Sequence, residues 1–339
     1  MRREKPIIAI ATGDPAGIGP EISLNAARDP AVRAACNPIL VSDARVLERH
    51  AEACGIAAAL RPVDRIADAD WSGQSVNVLN RAQPEAAKIP FGTNHAASGR
   101  ASLAFAGAAI RATLAGEADA VVAAPQNETS IALAGIPFDG HPSFVARETG
   151  TDADEVYLML CLGTTRIAHC TLHQSVREAV ALITPERVLR VLRATDRALR
   201  RLGVAAPRIG VSGLNPHAGE GGLFGREEIE VIKPAIDAAA ADGLQVAGPF
   251  GADTLFQRKG FDAFVVMLHD QGHVAAKLLA PNASAALTIG TPILFSSVAH
   301  GSAHDIAGKG AADPAAMIEA ILLLAGCGRA ARGHAAAAE

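Results

Sequence analysis

Short aliphatic runs alternate along the chain with longer stretches patterned as helices. Ile7-Ile8-Ala9-Ile10, Ile39-Leu40-Val41, Ala120-Val121-Val122, Ile167-Ala168-His169-Cys170, Ile209-Gly210-Val211 and Phe264-Val265-Val266-Met267-Leu268 read as buried strands. Unbroken apolar runs suit strands covered on both faces, as in a parallel sheet. Between them the helices carry recognisable punctuation. Thr184 is an N-cap and Pro185 takes the first helical position. Val188, Val191, Leu192, Leu199 and Leu202 then form an apolar stripe ending at Gly203. Asp313-Pro314 opens a last helix in the same way, with Met317, Ile321, Leu322 and Leu324 facing inward and Gly326 closing it. This alternation predicts an α/β fold with a mostly parallel sheet and no internal repeat. The Ala-, Gly- and Arg-rich stretch after Gly326 reads as a low-complexity tail.

Composition narrows the function. The chain has 339 residues, 50% hydrophobic and 19% charged, with a net charge of -4, enough to bury one large or two medium cores. No basic block stands ready to neutralise phosphates, which argues against a nucleic-acid partner. Aromatics make up 4%, with Trp71 and Tyr157 the only residues of their types, so base-stacking platforms are not expected either. Small and aliphatic residues must carry the core, as in helices packed closely on a sheet. The five cysteines (Cys36, Cys54, Cys161, Cys170, Cys327) include no CxxC pair, and so give neither a zinc ribbon nor a disulfide framework. The apolar run at residues 7–11 is too short for a signal peptide, and no stretch approaches the ~20 residues that span a bilayer. A cytoplasmic protein with no membrane partner is expected.

Polar and Gly-rich clusters fall where the strands should end, which is where open α/β sheets collect ligands. The first, Gly13-Asp14-Pro15-Ala16-Gly17-Ile18-Gly19-Pro20-Glu21, is neither a GxGxxG fingerprint nor a P-loop, and alone reads equally as a structural turn. Three histidines follow apolar strands: His173 in Thr171-Leu172-His173, His217 in Asn215-Pro216-His217-Ala218-Gly219-Glu220-Gly221-Gly222, and His269 in Leu268-His269-Asp270-Gln271-Gly272-His273. Neutral imidazoles from three strands can hold a divalent transition metal with positions open for substrate. Each can equally be a loop histidine satisfied by a backbone carbonyl. Asp270 is a candidate acceptor for the outer nitrogen of His269. His269 and His273 have helical chelate spacing, but Gly272 between them favours a loop. The stretch from Ser297 to Gly310 holds two histidines, an aspartate and a lysine, and such a loop is costly to order without a ligand.

Two of these segments carry a resemblance. Residues 13–21 and His300-Gly301-Ser302-Ala303-His304-Asp305-Ile306-Ala307-Gly308-Lys309-Gly310-Ala311-Ala312-Asp313-Pro314 are similar to both ends of isocitrate/isopropylmalate dehydrogenase-like proteins. Within that superfamily, the segments around His217 and His269 resemble the 4-hydroxythreonine-4-phosphate dehydrogenase family, and the similarity covers residues 5–325. The resemblance implies a two-domain α/β fold with the sheet running through both domains. It also implies a homodimer whose active sites, at the domain cleft and subunit interface, are shared. Residues 1–135 plus 295–327 would form the cofactor-side domain, residues 136–294 the metal-binding and dimerisation domain, and residues 328–339 a disordered tail. It makes His173, His217 and His269 the metal ligands, commonly for zinc. His300, Gly301, Ser302, Ala303, Asp305 and Gly308 would hold NAD, with NADP possible. Lys277, Asp253 and His141 would serve catalysis, Asp253 reaching the partner subunit's site.

Departures from the family point to a branch. Its phosphate-substrate members have Gly-His-Thr-Glu where this chain has Gly140-His141-Pro142-Ser143, and a lysine where it has Glu128. An Asn and an Arg of theirs correspond to Ala286 and Phe295. Losing Thr, Asn and Arg removes much of a phosphate cradle, and Pro142 also lacks a backbone donor. An aromatic-sized ring against Phe295 would replace it. These changes resemble the terephthalate dihydrodiol dehydrogenase branch, which oxidises and decarboxylates a carboxylated cis-dihydrodiol. The alternatives are a dehydrogenase of a phosphorylated hydroxy acid (4-hydroxythreonine 4-phosphate or a tetronate 4-phosphate), a metal-dependent hydrolase, and a non-catalytic metal-binding protein. A hydrolase has no use for the adenosine clamp implied at residues 300–314.

Overall fold

The computed structural model describes residues 5–279, 285–298 and 300–336, with side chains as far as residue 326. The described strands are β1 (Ile7–Ala11), β2 (Asn37–Ser42), β3 (Leu60–Val63), β4 (Val76–Asn80), β5 (Ala120–Ala123), β6 (Tyr157–Leu162), β7 (Thr165–His169), β8 (Arg208–Ser212), β9 (Gln245–Phe250), β10 (Ala263–Val266), β11 (Ala285–Ile289) and β12 (Phe295–Val298). The helices are α1 (Gly19–Arg28), α2 (Pro30–Ala35), α3 (Ala44–Ala53), α4 (Ala96–Leu114), α5 (Glu128–Leu133), α6 (His141–Thr149), α7 (Val176–Leu182), α8 (Pro185–Arg201), α9 (Lys233–Ala241), α10 (His269–Leu279) and α11 (Ala315–Ala336). They fall into two compact units, Met1–Thr151 with Pro292–Glu339, and Asp152–Thr291.

In the first unit the strand order is β3-β4-β2-β1-β5-β12, and every neighbouring pair is parallel. All five residues of β1 are buried, as expected of a strand covered on both faces. The chain leaves β1 toward β2 and returns on its other side as β5, so the order reverses between β1 and β5. Small residues let the helices come close. A Cβ at Gly99 of α4 would overlap the Ser130 carbonyl of α5, so only glycine permits this approach. Ile39, Val41, Phe105, Ile110, Val121 and Phe295 share one core.

In the second unit the order is β11-β6-β7-β10-β8-β9. β6 runs antiparallel to both β11 and β7, whereas β7, β10, β8 and β9 are mutually parallel. Leu160, Ile167, Leu255, Phe264 and Val266 form its core.

The six predicted strands are all present. β10 stops at Val266, two residues short of the apolar run, because the Met267 and Leu268 amides both donate to the Gln271 side chain, at 2.9 and 3.0 Å. The reading missed β3, β4, β6, β9, β11 and β12, of which β3 and β9 each carry a proline and are edge strands, where pattern is weakest. Thr184 caps α8, its hydroxyl accepting from the Arg187 amide at 3.2 Å. Asp313 stands before α11 in the same role, its carboxylate accepting from the Ala315 amide at 2.9 Å.

α11 runs through Ala336, past Gly326 and into the residues read as a disordered tail. Its Ala- and Arg-rich sequence has high helix propensity, which outweighs one glycine. Residues 337–339 of that tail lie outside the described residues. No helix among the described residues is long and apolar enough to cross a membrane.

Candidate active site: strand-end loops in each unit

In the second unit, β7, β10 and β8 are adjacent and parallel, so the segments that follow them leave at the same end. His173, His217 and His269 stand on those segments, a few residues beyond each strand. The rings of His173 and His269 lie 5.6 Å apart, whereas the ring neighbour of His217 is Phe224, at 6.2 Å. Among the described residues, no three His, Cys, Asp or Glu side chains are gathered into a closed metal-ligand set. The chemistry of His269 nevertheless suits a ligand. Its Nδ1–H donates to Asp270 at 2.7 Å, which leaves the lone pair on Nε2.

His217 sits on unusual backbone. His217, Ala218 and Glu220 have φ of 52°, 52° and 43°, and the glycines at 219 and 221 are also left-handed. Each non-glycine residue in that region costs roughly 1–2 kcal/mol. A buried carboxylate, which the sequence reading missed, holds the turn. Glu228, only 3% exposed, accepts from the Leu214 and Asn215 amides at 2.7 Å each and from the Asn215 side chain at 2.9 Å. Charge-assisted bonds of this kind offset the strain. Asp253 is exposed in the loop after β9, and a Cβ on Gly251 would lie 3.8 Å from the His217 Cα.

His269, Gly272 and His273 lie on one helix, α10, and not on the loop that Gly272 suggested. The glycine serves close approach instead. A Cβ there would overlap the ring of His169, which is 1% exposed at the end of β7. Burial pushes His169 down to about 3, and its Nε2 has no partner. Nothing in the sequence pattern separates His169 from an ordinary strand residue. Lys277 is exposed two turns beyond His269 on the same helix.

In the first unit, both ends of the chain meet beyond β1, β5 and β12. Asp14, 1% exposed, accepts from His304 Nε2 at 2.7 Å, from the Ala16 amide at 3.0 Å, and from the Ser98 hydroxyl. The Ile18 amide donates to the Ser302 carbonyl at 2.9 Å, and the Asn127 side chain donates to the Ser302 hydroxyl at 3.3 Å. Ser302 and Ala303 are thereby drawn inward, Ala303 with φ of 41°. His300, Gly301 and Asp305 remain exposed, while Gly308 packs on the Phe91 ring. Asp14, His304 and Asn127 are therefore framework residues of the loop. The sequence marked the first two only as members of their segments.

His141 opens α6 against Phe138 and Phe295, at ring distances of 6.1 and 5.3 Å. Its Nδ1 is buried without a partner, and burial pushes the imidazole down to about 4. Phe295 is fully buried in the core, which corrects the expectation of an open aromatic wall: it supports His141 from behind. Ala286 lies on β11 opposite Leu160, and Glu128 is exposed in the first turn of α5.

Parallel strands with polar loops at their carboxyl ends define an α/β protein whose ligand-binding residues collect at the strand ends. Residues 34–324 match the family described as pyridoxal phosphate biosynthetic protein PdxA, and the chain belongs to that family of dehydrogenases. It is 42% identical over 317 residues to the 1,2-dihydroxy-3,5-cyclohexadiene-1,4-dicarboxylate dehydrogenase of a Comamonas species, covering 94% of this chain and 96% of that one. It is 40% identical over 321 residues to the D-threonate 4-phosphate dehydrogenase of Cupriavidus necator, covering 93% and 95%. Among solved structures, a terephthalate 1,2-cis-dihydrodiol dehydrogenase from Burkholderia xenovorans is 44% identical with a TM-score of 0.73, covering 95% and 98%. A 4-hydroxythreonine-4-phosphate dehydrogenase from Klebsiella pneumoniae is 34% identical with a TM-score of 0.87, covering 95% and 99%.

Replacing Glu228 with Ala strips the acceptor from three donors and should cost about 3 kcal/mol in urea unfolding. Amide exchange around residues 214–222 should accelerate, and wild-type protection there would refute this account of the turn. Acid should destabilise the protein through His50 and His141, which burial pushes down to about 4 each. The unfolded chain takes up these protons below about pH 6.5 and the folded chain only near 4. Stability is therefore complete above pH 6.5 and lost as pH falls toward 4, by roughly 1.4 kcal/mol per unit for each imidazole. Urea midpoints that stay level across this window would contradict it.

Proposed function

We propose that the protein is a metal-dependent, NAD-linked dehydrogenase that oxidises and decarboxylates a carboxylated cis-dihydrodiol. The substrate we assign is 1,2-dihydroxy-3,5-cyclohexadiene-1,4-dicarboxylate, and the products are protocatechuate, carbon dioxide and NADH. The observation that carries the substrate is the state of the phosphate-holding positions: Pro142 has no N–H, Ala286 has no polar side-chain atom, and Phe295 is fully buried. Similarity to the Comamonas enzyme supports the same choice.

His173, His217 and His269 would hold the metal, zinc by the chemistry of three imidazoles. His300, Gly301, Ser302, Ala303, Asp305 and Gly308 would hold NAD, and the exposed Asp305 suits ribose hydroxyls better than a 2′-phosphate. When bound, the cation steadies charge on substrate oxygens and NAD provides the hydride acceptor. Asp270 keeps the lone pair of His269 on Nε2. We assign His141, whose buried Nδ1 has no partner, as a further catalytic residue, and Lys277 as the anchor of a carboxylate or a proton relay. Removing hydride from C2 and the proton from its hydroxyl leaves a β-keto acid. Loss of carbon dioxide from C1 then returns the bonding electrons to the ring, which becomes an aromatic catechol.

We also assign a homodimer with shared active sites, Asp253 serving the neighbouring subunit. Support comes from apolar side chains left exposed in the second unit, among them Val176, Leu223, Val274 and Leu278 at 69, 73, 54 and 78%. Light scattering should give twice the chain mass, and a fully active monomer would refute the assignment. For substrate, NADH formation is compared for the dihydrodiol and for 4-hydroxythreonine 4-phosphate and D-threonate 4-phosphate, with saturating NAD and zinc. The dihydrodiol should win by about 10²-fold or more in kcat/KM. A faster phosphate ester would replace this reading with that of a phosphorylated hydroxy acid dehydrogenase.

A further inference from the structure

α10 carries a second imidazole one turn beyond His269. The His273 ring lies face to face with that of His269, with centroids 3.7 Å apart and planes within 8°. Its Nδ1–H donates to the His269 carbonyl at 3.2 Å. In the neutral ring that bond selects the Nδ1–H tautomer, which puts the lone pair on Nε2. No described residue bonds this nitrogen, and it is not among the buried unpartnered atoms. Behind it stands the ring of His169, 4.7 Å away and admitted by the missing side chain of Gly272.

His269, His273 and Lys277 thus follow one another at four-residue intervals, which sets them on one face of the helix. The face offers a ligating nitrogen, then an acceptor, then a cation. The order matches a hydroxy acid with a second hydroxyl. The alcohol to be oxidised belongs beside His269, the neighbouring hydroxyl beside His273, and a carboxylate beside Lys277.

The geometry points to His273 as the residue that reads the substrate's second hydroxyl, the one that is not oxidised. This rests on the reading of His269 as a metal ligand. An unprotonated nitrogen accepts an O–H but repels the lone pairs of a phosphate or carboxylate oxygen. The residue therefore selects a vicinal diol at the same step that rejects an anion in its place.

The test combines zinc binding with steady-state kinetics on the dihydrodiol dicarboxylate and on its analogue lacking the C1 hydroxyl. His273→Leu should bind zinc as the wild type does and raise KM for the diol about tenfold, with kcat within about twofold. His273→Gln, whose amide oxygen accepts, should return KM to within about threefold. For the analogue, wild type and His273→Leu should agree. An equal KM rise on both substrates, or none on the diol, overturns the inference while His269→Ala still loses zinc. Wild-type zinc affinity in His269→Ala overturns the metal reading and this inference with it. A thermal unfolding curve for each variant identifies any that fails to fold.

Discussion

Parallel pairing is the constraint on which both candidate clusters depend. Strands in a parallel sheet all point one way, so every loop leaving a carboxyl end emerges at one edge, whatever its distance in sequence. β7, β10 and β8 bring His173, His269 and His217 to one end of their unit. β1, β5 and β12 do the same for Asp14, Asn127 and Ser302 in the other. The interior asks only for aliphatic side chains of the right size. The edge is left free for residues that chemistry selects.

Loops on such an edge need fastening, and buried carboxylates provide it. Glu228 gathers the donors that lead into a left-handed turn, and Asp14 gathers a histidine, a serine and a backbone amide from segments as much as 290 residues apart. Desolvating a carboxylate costs several kcal/mol unless its oxygens are taken up, and here donors on the loops take them up. Each carboxylate thus selects one loop conformation, since other conformations leave it unpaired. The segment bearing His217 is strained at positions that a hydrophobic core alone would not hold.

The framework was legible because its signals are local. An unbroken apolar run marks a covered strand, and Thr184 with Pro185 marks a helix start. The placement of His173, His217 and His269 just beyond three strands was legible for the same reason. What escaped depends on distant partners. Gly272 looks like a helix breaker until the His169 ring beside it is seen, and Phe295 looks like a pocket wall until its full burial is seen. Glu228 and Asp14 are ordinary acidic residues in sequence, and their roles come from donors supplied by folding.

Substrate choice within this family then becomes a matter of few side chains on a shared backbone. Relatives 34–44% identical carry names for dihydrodiol and phosphate-ester dehydrogenases, so backbone alone does not separate the two. Phosphate recognition needs donors, and an anion bound without them keeps the cost of losing its water. A diol needs acceptors as well as donors. Along α10 this chain supplies an acceptor, His273, between a candidate ligand and a cation, while Pro142, Ala286 and Phe295 withhold donors elsewhere. Discrimination of this kind combines attraction, from an acceptor on α10, with exclusion, from positions that offer a phosphate no donor.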